Sequence, residues 1–153
     1  MHTLDEQDKM LLRLLQQNNR LTAEELADKV NLSQSAVHRR LARLRNEKII
    51  EADISVISPK AAGIGIMCIV DVTLNEGNSK GIDEFKRSML KCSEVSQCYY
   101  VTGSYDFVLI VNVRDMRHFE EFQKKKLLDN PNLKHFYTHV VMDKVKFQLT
   151  VEI

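Results

Sequence analysis

The chain has few cysteines, prolines and glycines, no tryptophan, and no long apolar run. Its 153 residues include no tryptophan, two prolines, five glycines and three cysteines. Apolar runs are all shorter than the ~20 residues that a membrane-spanning helix needs, and the N-terminus becomes acidic at Asp5, unlike a secretory signal. We therefore expect a globular protein that stays in the cytoplasm.

Cysteine chemistry and metal binding are poorly supported. Cys68, Cys92 and Cys98 lack a C-x-x-C spacing and lie in apolar or strand-like stretches, so we expect buried thiols in a reducing compartment. His135 and His139 share one face of a predicted strand, but Cα atoms about 13 Å apart cannot bind one ion. The sequence therefore predicts no metal site and no cofactor.

Net charge is also nearly absent, because 22 basic side chains balance 21 acidic ones to +1. The balance is uneven along the chain. Residues 39–48 contain five basic side chains and a single acidic one, Glu47, which leaves a local surplus of four positive charges. A short basic segment in an otherwise neutral protein is typical of nucleic-acid binding. A solvated basic helix face is the alternative interpretation.

The basic segment belongs to a pattern of two short helices separated by a tight turn. Thr22, with Glu25 three residues later, has the capping-box pattern at the start of one helix, and Ser33 caps the next. Helices that cross steeply need a small residue at their contact and a residue that tolerates left-handed backbone between them, which Ala27 and Asn31 provide. The sequence predicts a helix-turn-helix, whose second helix docks in the major groove of DNA.

A further helix precedes this pair, with Asp5 as its N-cap and its end near Arg20. We therefore assign residues 1–50 to a three-helix DNA-binding domain. Residues 51–65 are assigned to a linker with a short strand, because Pro59 and two glycines interrupt any longer element. The predicted core of the first domain is Leu11, Leu15, Leu26, Ala27, Val30, Leu32, Val37, Leu41 and Leu44.

Residues 66–153 have the periodicity of a mixed domain. Strands are predicted at 66–74, 95–102, 107–113 and 135–142, and helices at 81–91 and 116–128. The order βαββαβ predicts a ferredoxin-like sheet, so the fold class is α+β. The strands are apolar on both faces, as Leu109 and Ile110 illustrate, but two helices cover only one face. The second face therefore predicts a homodimer with sheets packed face to face.

Helical spacing assigns roles to the predicted recognition helix. With Val37 facing the core, Arg39 lies on the opposite face, where its guanidinium could donate two hydrogen bonds to guanine. Arg40 and Arg43 lie beside this face, within reach of phosphates, and Thr22 lies at a helix N-terminus that would hold another phosphate. The predicted DNA-binding residues are Thr22, Ser33, Gln34, Ser35, His38, Arg39, Arg40 and Arg43.

Specific sequence features resemble the Lrp/AsnC family of regulators over nearly the whole chain. The resemblance in the first half rests on Leu4-Asp5, Asp8, Asn19-Arg20, Glu25-Leu26-Ala27, Leu32-Ser33, Arg39-Arg40-Leu41, Arg43-Leu44 and Ile49-Ile50. In the second half it rests on the loop Val101 to Asp106 and on Asp115, Phe119, Phe122, Pro131, Val145 and Lys146. Phe136 and Lys48 depart from the pattern, which more often has threonine and glycine at these positions.

The resemblance implies a bacterial or archaeal transcriptional regulator that forms dimers and assembles them into octamers or similar discs. Members of the family often respond to a small amino acid. The C-terminal domain would then be the family's RAM domain, which binds the effector and mediates assembly. By motif, the implied effector-binding residues are Tyr100, Thr102, Gly103, Tyr105, Asp106 and Thr138. Asp106 suits an ammonium group, and Gly103 lets a carboxylate approach backbone amides. A tight turn in which Asp106 bonds local amides is the alternative.

Two rival functions remain open from the residues alone. One is a DNA-organising protein that wraps DNA without an effector; the other is an enzyme built on the C-terminal sheet. We expect no enzyme, because the chain offers no recognisable nucleophile arrangement or phosphate-binding glycine loop. Lys124 to Lys126 most simply serve a helix C-terminus and solvent, with auxiliary DNA contact as the alternative.

Overall fold

The computed structural model describes residues 4–75 and 79–153, so Met1 to Thr3 of the predicted first domain lie outside the described residues. The chain divides into two compact units. One comprises the residues up to Val56 together with Lys146–Ile153, and the other comprises Ile57–Val145. The sequence assigns the C-terminal segment to the second domain, but in the structure this segment groups with the first unit. Within the described residues, no helix is long and apolar enough to cross a membrane.

The first unit contains the three predicted helices, α1 (Glu6–Gln17), α2 (Ala23–Val30) and α3 (Gln34–Asn46). Each has its predicted cap. Asp5 and Thr22 form capping boxes at α1 and α2, and the Ser33 hydroxyl accepts the Ala36 N–H at the start of α3. The predicted core is largely confirmed, with Leu15 and Leu32 only half-buried at its edge and Leu12 as an addition.

Left-handed backbone appears just after α2 and just after α3. Asn31, in the turn of the helix-turn-helix, has a φ of 53°, and the next N–H, of Leu32, donates to the Ala27 carbonyl at 3.0 Å. Lys48, after α3, has a φ of 57°. The first angle confirms the role predicted for asparagine. The second explains why glycine is common there, since side-chain-bearing residues adopt this conformation at a cost.

The C-terminal segment packs on α1 of the same unit. Gln16 pairs with Val151 in both directions: its side-chain amide donates to the Val151 carbonyl at 3.1 Å, and its Oε1 accepts the Val151 N–H at 2.6 Å. The Arg13 guanidinium donates to the Ile153 carbonyl, and Ile153 packs against the apolar core. These contacts explain why residues near the end of the chain belong to the helical unit.

The second unit has the predicted βαββαβ order. Its elements are β1 (Ile66–Leu74), α4 (Ser79–Leu90), β2 (Val95–Tyr100), β3 (Phe107–Val113), α5 (Met116–Gln123), a π-helical turn (Lys124–Leu128) and β4 (Leu133–Val140). The sheet is antiparallel with strand order β2-β3-β1-β4. The ferredoxin-like fold is therefore confirmed. The π-helical turn is the main departure, because the sequence predicted regular α-helix up to residue 128.

One face of the sheet carries the core. Side chains from β1 and β3 that include Val70 and Leu109 are fully buried beneath Phe85 of α4 and Phe119 of α5. On the second face, Ile110 and its apolar neighbours are only half-buried. The alternation matches the prediction for both faces.

The cysteine and linker predictions are only partly correct. Cys68 and Cys92 are buried, but Cys98 is exposed because its strand, β2, lies at the edge of the sheet. Residues 51–65 form no strand: residues 51–58 have no regular element, and turns follow at 59–63. Gly65 is required there, since a Cβ would lie 2.5 Å from the Arg114 carbonyl oxygen.

Candidate DNA interface and ligand loop

The outer face of α3 is exposed as predicted. Val37 is fully buried, whereas Ser35, Arg39 and Ala42 on the opposite face are exposed. Gln34 and His38 are also exposed near the N-terminus of α3. Arg39 makes no ion pair among residues 4–75 and 79–153, so its guanidinium is available for a base edge.

The two capping residues of the predicted interface are already engaged. Ser33 Oγ lies 3.1 Å from Ser35 Oγ and accepts the Ala36 N–H at 3.2 Å. Thr22 Oγ1 accepts the Glu25 N–H at 3.2 Å and donates to the Glu25 carboxylate at 3.0 Å. Both hydroxyls are exposed at helix N-termini, where free backbone N–H groups favour anions such as phosphate.

Arg40 and Arg43 have a different environment from the one the sequence suggested. Arg40 Nη1 donates to Asp5 Oδ2 at 2.6 Å and to Asp8 Oδ1 at 2.8 Å, and Arg43 Nη2 donates to Asp8 Oδ2 at 2.5 Å. Arg43 also reaches Glu47 at 3.5 Å. Because Asp8 belongs to α1, both guanidinium groups contact a neighbouring helix rather than only solvent.

Asp8 is the centre of this network, which we call the Asp8 network (Asp5, Asp8, Arg40 and Arg43). Its side chain is 1% exposed, whereas those of Arg40 and Arg43 are 24% and 37% exposed. A buried carboxylate is stable only when its lone pairs are satisfied, and two arginines satisfy them here. Hydrogen bonds from the Asp8 N–H and from Arg40 lower the pKa of Asp5. The network joins α1 to the recognition helix.

The local charge surplus is therefore smaller than sequence counting suggested. Arg45 forms a further pair with Asp53, at 2.9 Å from Nε to Oδ2. With Asp5, Asp8 and Asp53 beside the five basic groups and Glu47, the surplus of four positive charges falls to one. Sequence counting missed these partners because it considered only α3. The sequence signal that could have revealed them is the pair of aspartates at the start of α1, Asp5 at the N-cap and Asp8 in the first turn.

The loop between β2 and β3 contains most residues implied for effector binding. Gly103 has a φ of 127°, which few side-chain-bearing residues adopt. Asp106 Oδ2 accepts the Leu74 N–H at 2.7 Å, and the Asp106 N–H donates to the Val72 carbonyl at 2.9 Å. These bonds agree with the turn interpretation, because Asp106 uses one carboxylate oxygen to cap the end of β1.

The other residues implied for effector binding lie on β2, on the loop itself and on β4. Tyr100 faces the helices, where its ring lies 5.0 Å from that of Phe107 and below the Lys86 ammonium at 4.5 Å. Tyr105 lies 6.4 Å from the ring of Tyr137. Thr102 is exposed, and Thr138 is half-buried on β4 opposite Val70. The structure thus brings the loop residues near one end of β3, with Thr138 two strands away.

The two histidines of β4 have local partners. His139 Nε2 lies 3.0 Å from Asp71 Oδ2, and the His135 ring lies 5.4 Å from that of Tyr137. The described part of the chain contains no group of three or more histidine, cysteine, aspartate or glutamate side chains placed to hold a metal ion.

Comparison with known proteins agrees with both halves of the structure. Residues 67–151 match the Lrp/AsnC ligand binding domain, and residues 4–51 match a winged helix-turn-helix DNA-binding domain. An uncharacterised helix-turn-helix-type transcriptional regulator of Sinorhizobium fredii is 49% identical over 98% of this chain and 89% of its own length. The leucine-responsive regulatory protein of Escherichia coli is 29% identical over 94% of this chain and 87% of its own.

Solved structures extend the agreement. A transcriptional regulator from Neisseria meningitidis, crystallised as a complex with L-Met, superposes with a TM-score of 0.92 at 29% identity, covering 98% of this chain and 97% of that one. Escherichia coli AsnC shares the fold, with a TM-score of 0.89 at 22% identity, covering 97% of this chain and 99% of that one. With a helix-turn-helix whose outer face is exposed, this chain belongs to the Lrp/AsnC family of DNA-binding transcriptional regulators, not to a family of enzymes.

Proposed function

We propose that the protein reads a pseudo-palindromic DNA site through Arg39 and the neighbouring exposed residues of α3. The observation that carries this proposal is the contrast between Arg39, which is unpaired in the described chain, and Arg40 and Arg43, which are held by Asp8. Gln34, Ser35 and His38 would reach base edges beside Arg39. Because its target is chromosomal DNA, we further propose a cytoplasmic location.

The proposed effector is a small amino acid bound at the loop between β2 and β3. Asp106 keeps one carboxylate oxygen, Oδ1, without a hydrogen bond in the described chain, and a carboxylate oxygen suits an α-ammonium group. Exposed Thr102 and Gly103 offer backbone groups for the ligand's carboxylate. The Neisseria meningitidis relative in complex with L-Met gives support from a similar fold.

The bond between Asp106 and Leu74 also supports a second candidate. If Asp106 only caps β1, the protein would organise DNA without responding to an effector. The experiment that separates the two is a selection of bound sites from random DNA, performed with and without pooled amino acids. A defined motif whose occupancy changes with amino acids supports the regulator. Enrichment unchanged by amino acids supports the DNA-organising protein, and no enrichment contradicts both.

Asp106→Asn tests the effector site more cleanly than alanine would. Asparagine keeps an acceptor for the Leu74 N–H, whereas alanine would leave that N–H without its bond. We expect the variant to bind DNA without ligand as the parent does, and to bind the amino acid about tenfold more weakly, since a charge-assisted bond becomes neutral. Titration calorimetry with the selected amino acid measures the loss. An unchanged affinity would place the ammonium group elsewhere.

We also propose that the second face of the sheet forms a homodimer, and that dimers assemble further into an octamer. The face combines half-buried Ile69 and Ile110 with Tyr99 and Tyr137, which are 51% and 55% exposed. Both helices of the unit lie on the opposite face. A second copy of the same face would cover these side chains symmetrically.

Ile110→Asp should break this dimer. A carboxylate at the centre of a packed apolar interface would be desolvated without a partner, so dissociation should increase at least about 100-fold. Sedimentation velocity at several concentrations measures it. Leu90→Asp is the matched control, because Leu90 is 87% exposed on the helix layer, away from the second face. If both variants remain as associated as the parent, the sheet face is not the interface.

A further inference from the structure

A cavity in the second unit lies apart from the proposed effector loop. Its volume is about 300 Å³, and it opens where β3 ends and α5 begins. The loop lies at the other end of β3, about 20 Å away by the rise of a seven-residue strand. We call it the Arg114 cavity, and its charged lining comprises Lys91, Glu94, Arg114, His118, Glu121, Lys125 and Lys126.

The cavity contains more positive charge than the protein neutralises. Among residues 4–75 and 79–153, none of its four basic side chains forms an ion pair within 4.0 Å. Glu121 is engaged by Arg117, at 3.4 Å from Nε to Oε1. Positive charges that surround a concave surface raise the local concentration of anions there. The basic side chains of the cavity are therefore available to bind an anionic ligand.

Glu94 offsets one of the four positive charges, but in the described chain it forms no ion pair with Lys91, Arg114, Lys125 or Lys126, because its carboxylate is engaged by other groups. It accepts bonds from the Cys92 thiol at 3.2 Å and the Ser93 hydroxyl at 3.1 Å, and His118 Nε2 lies 3.5 Å from its other oxygen. Burial opposes ionisation, but these bonds and one from its own backbone outweigh it and lower the pKa of Glu94 to about 2. Glu94 thus holds the imidazole of His118 at the cavity wall.

The backbone at the cavity is unusual. Lys125 and Lys126 lie in the π-helical turn that replaces the end of α5. Such turns are rare and occur frequently at functional sites, where the wider backbone redirects side chains. Lys125 and Lys126 both line the same cavity as Arg114.

We propose that the Arg114 cavity binds a small phosphorylated anion, at a site separate from the amino-acid loop. A phosphoryl dianion offsets two of the positive charges, and its oxygens accept bonds from several ammonium and guanidinium groups at once, whereas a single carboxylate offsets one. The concave shape and the volume of about 300 Å³ suit a small molecule, whereas a DNA backbone would need a continuous basic surface.

The test uses inorganic phosphate as the probe and the full chain at fixed pH and ionic strength. Phosphate titrated against the protein should shift the NMR signals of the His118 ring, and sodium chloride should not. Lys125→Gln/Lys126→Gln should weaken phosphate binding about tenfold, because two charge-assisted contacts are lost. The control Lys60→Gln/Lys124→Gln removes the same charge outside the cavity and should change it less than twofold. Thermal unfolding of both variants checks that each is folded.

Three results would overturn the proposal. The first is a His118 signal that phosphate does not shift. The second is equal weakening in both double variants, which would indicate a general charge effect. The third comes from titrating the same variants with a random-sequence duplex: if the cavity variant loses duplex affinity while free phosphate does not bind, the lysines contact the DNA backbone instead.

Discussion

Asp8→Ala is expected to destabilise the helix-turn-helix unit by about 2 to 4 kcal/mol, because it removes a buried carboxylate that two arginines and one backbone N–H share. The loss is below that of a fully buried pair, since Arg40 and Arg43 are partly exposed and can turn toward water. Asp8→Asn keeps an acceptor and should cost about half as much. Urea unfolding of the full chain measures both changes.

DNA binding by the Asp8 variants shows whether the network affects the interface as well as the stability of the fold. Neutralising Asp8 removes one anionic partner from each arginine, although Arg40 keeps Asp5 and Arg43 keeps Glu47. Asp8→Asn should therefore bind random-sequence duplexes more tightly and with a steeper salt dependence. Asp28→Asn is the control, because it removes the same charge from an exposed position on α2. If the Asp8 and Asp28 variants unfold alike and respond alike to salt, the Asp8 network has no role in the interface.

Acid should weaken the same network. The pKa of Asp5 is lowered in the folded protein, by the Asp8 N–H and then by Arg40, so its contribution to stability is present above the unfolded pKa. That contribution is lost as the pH falls below about 4. In Asp5→Asn, the free energy of unfolding should therefore fall less as the pH is lowered than it does in the parent, which urea unfolding at a series of pH values measures.

Arg39→Ala is expected to weaken binding to the selected DNA site by about 10- to 100-fold, the worth of one bidentate contact to guanine. Binding to random duplexes should fall much less, because Arg39 faces the bases and not the phosphates. Fluorescence anisotropy with both duplexes, across a salt series, measures the ratio. Arg87→Ala, on the exposed side of α4, removes the same charge from the other unit.

A small and equal loss of affinity for both duplexes would contradict the groove orientation of α3.

Arg43→Ala is not an equivalent test, although its position in the sequence suggests a phosphate contact. It would leave Asp8 with one arginine partner fewer and so change stability together with DNA affinity. Arg39 can be tested directly because its side chain has no ion pair in the described residues.

The element order and the helix-turn-helix were predictable because their signals are local. Capping pairs such as Thr22 with Glu25 lie three residues apart, and the alternation along β3 repeats every second residue. Asn31 was assigned to left-handed backbone from its position between two helical patterns, and its φ of 53° agrees. Signals of this kind need no knowledge of which distant segments meet.

The interface and the ligand sites depended on contacts between distant residues. Asp8 meets Arg40 and Arg43 across 32 and 35 positions, so a charge count along α3 could not detect the pairing. Asp106 caps β1 across 32 positions, which changes how its carboxylate can be used. The sequence also did not predict the π-helical turn beside Arg114, because lysines are equally common at the end of an ordinary α-helix.

By itself, the sequence determined the three helices, the βαββαβ order, the face of α3 that carries Arg39 and the family. Only the tertiary structure decided which arginines remain available, which oxygen of Asp106 is already bound and which cations surround the Arg114 cavity. The physical reason is range. Backbone periodicity and capping act within one or two turns, whereas a charged side chain is neutralised by whatever the folded chain brings within about 4 Å.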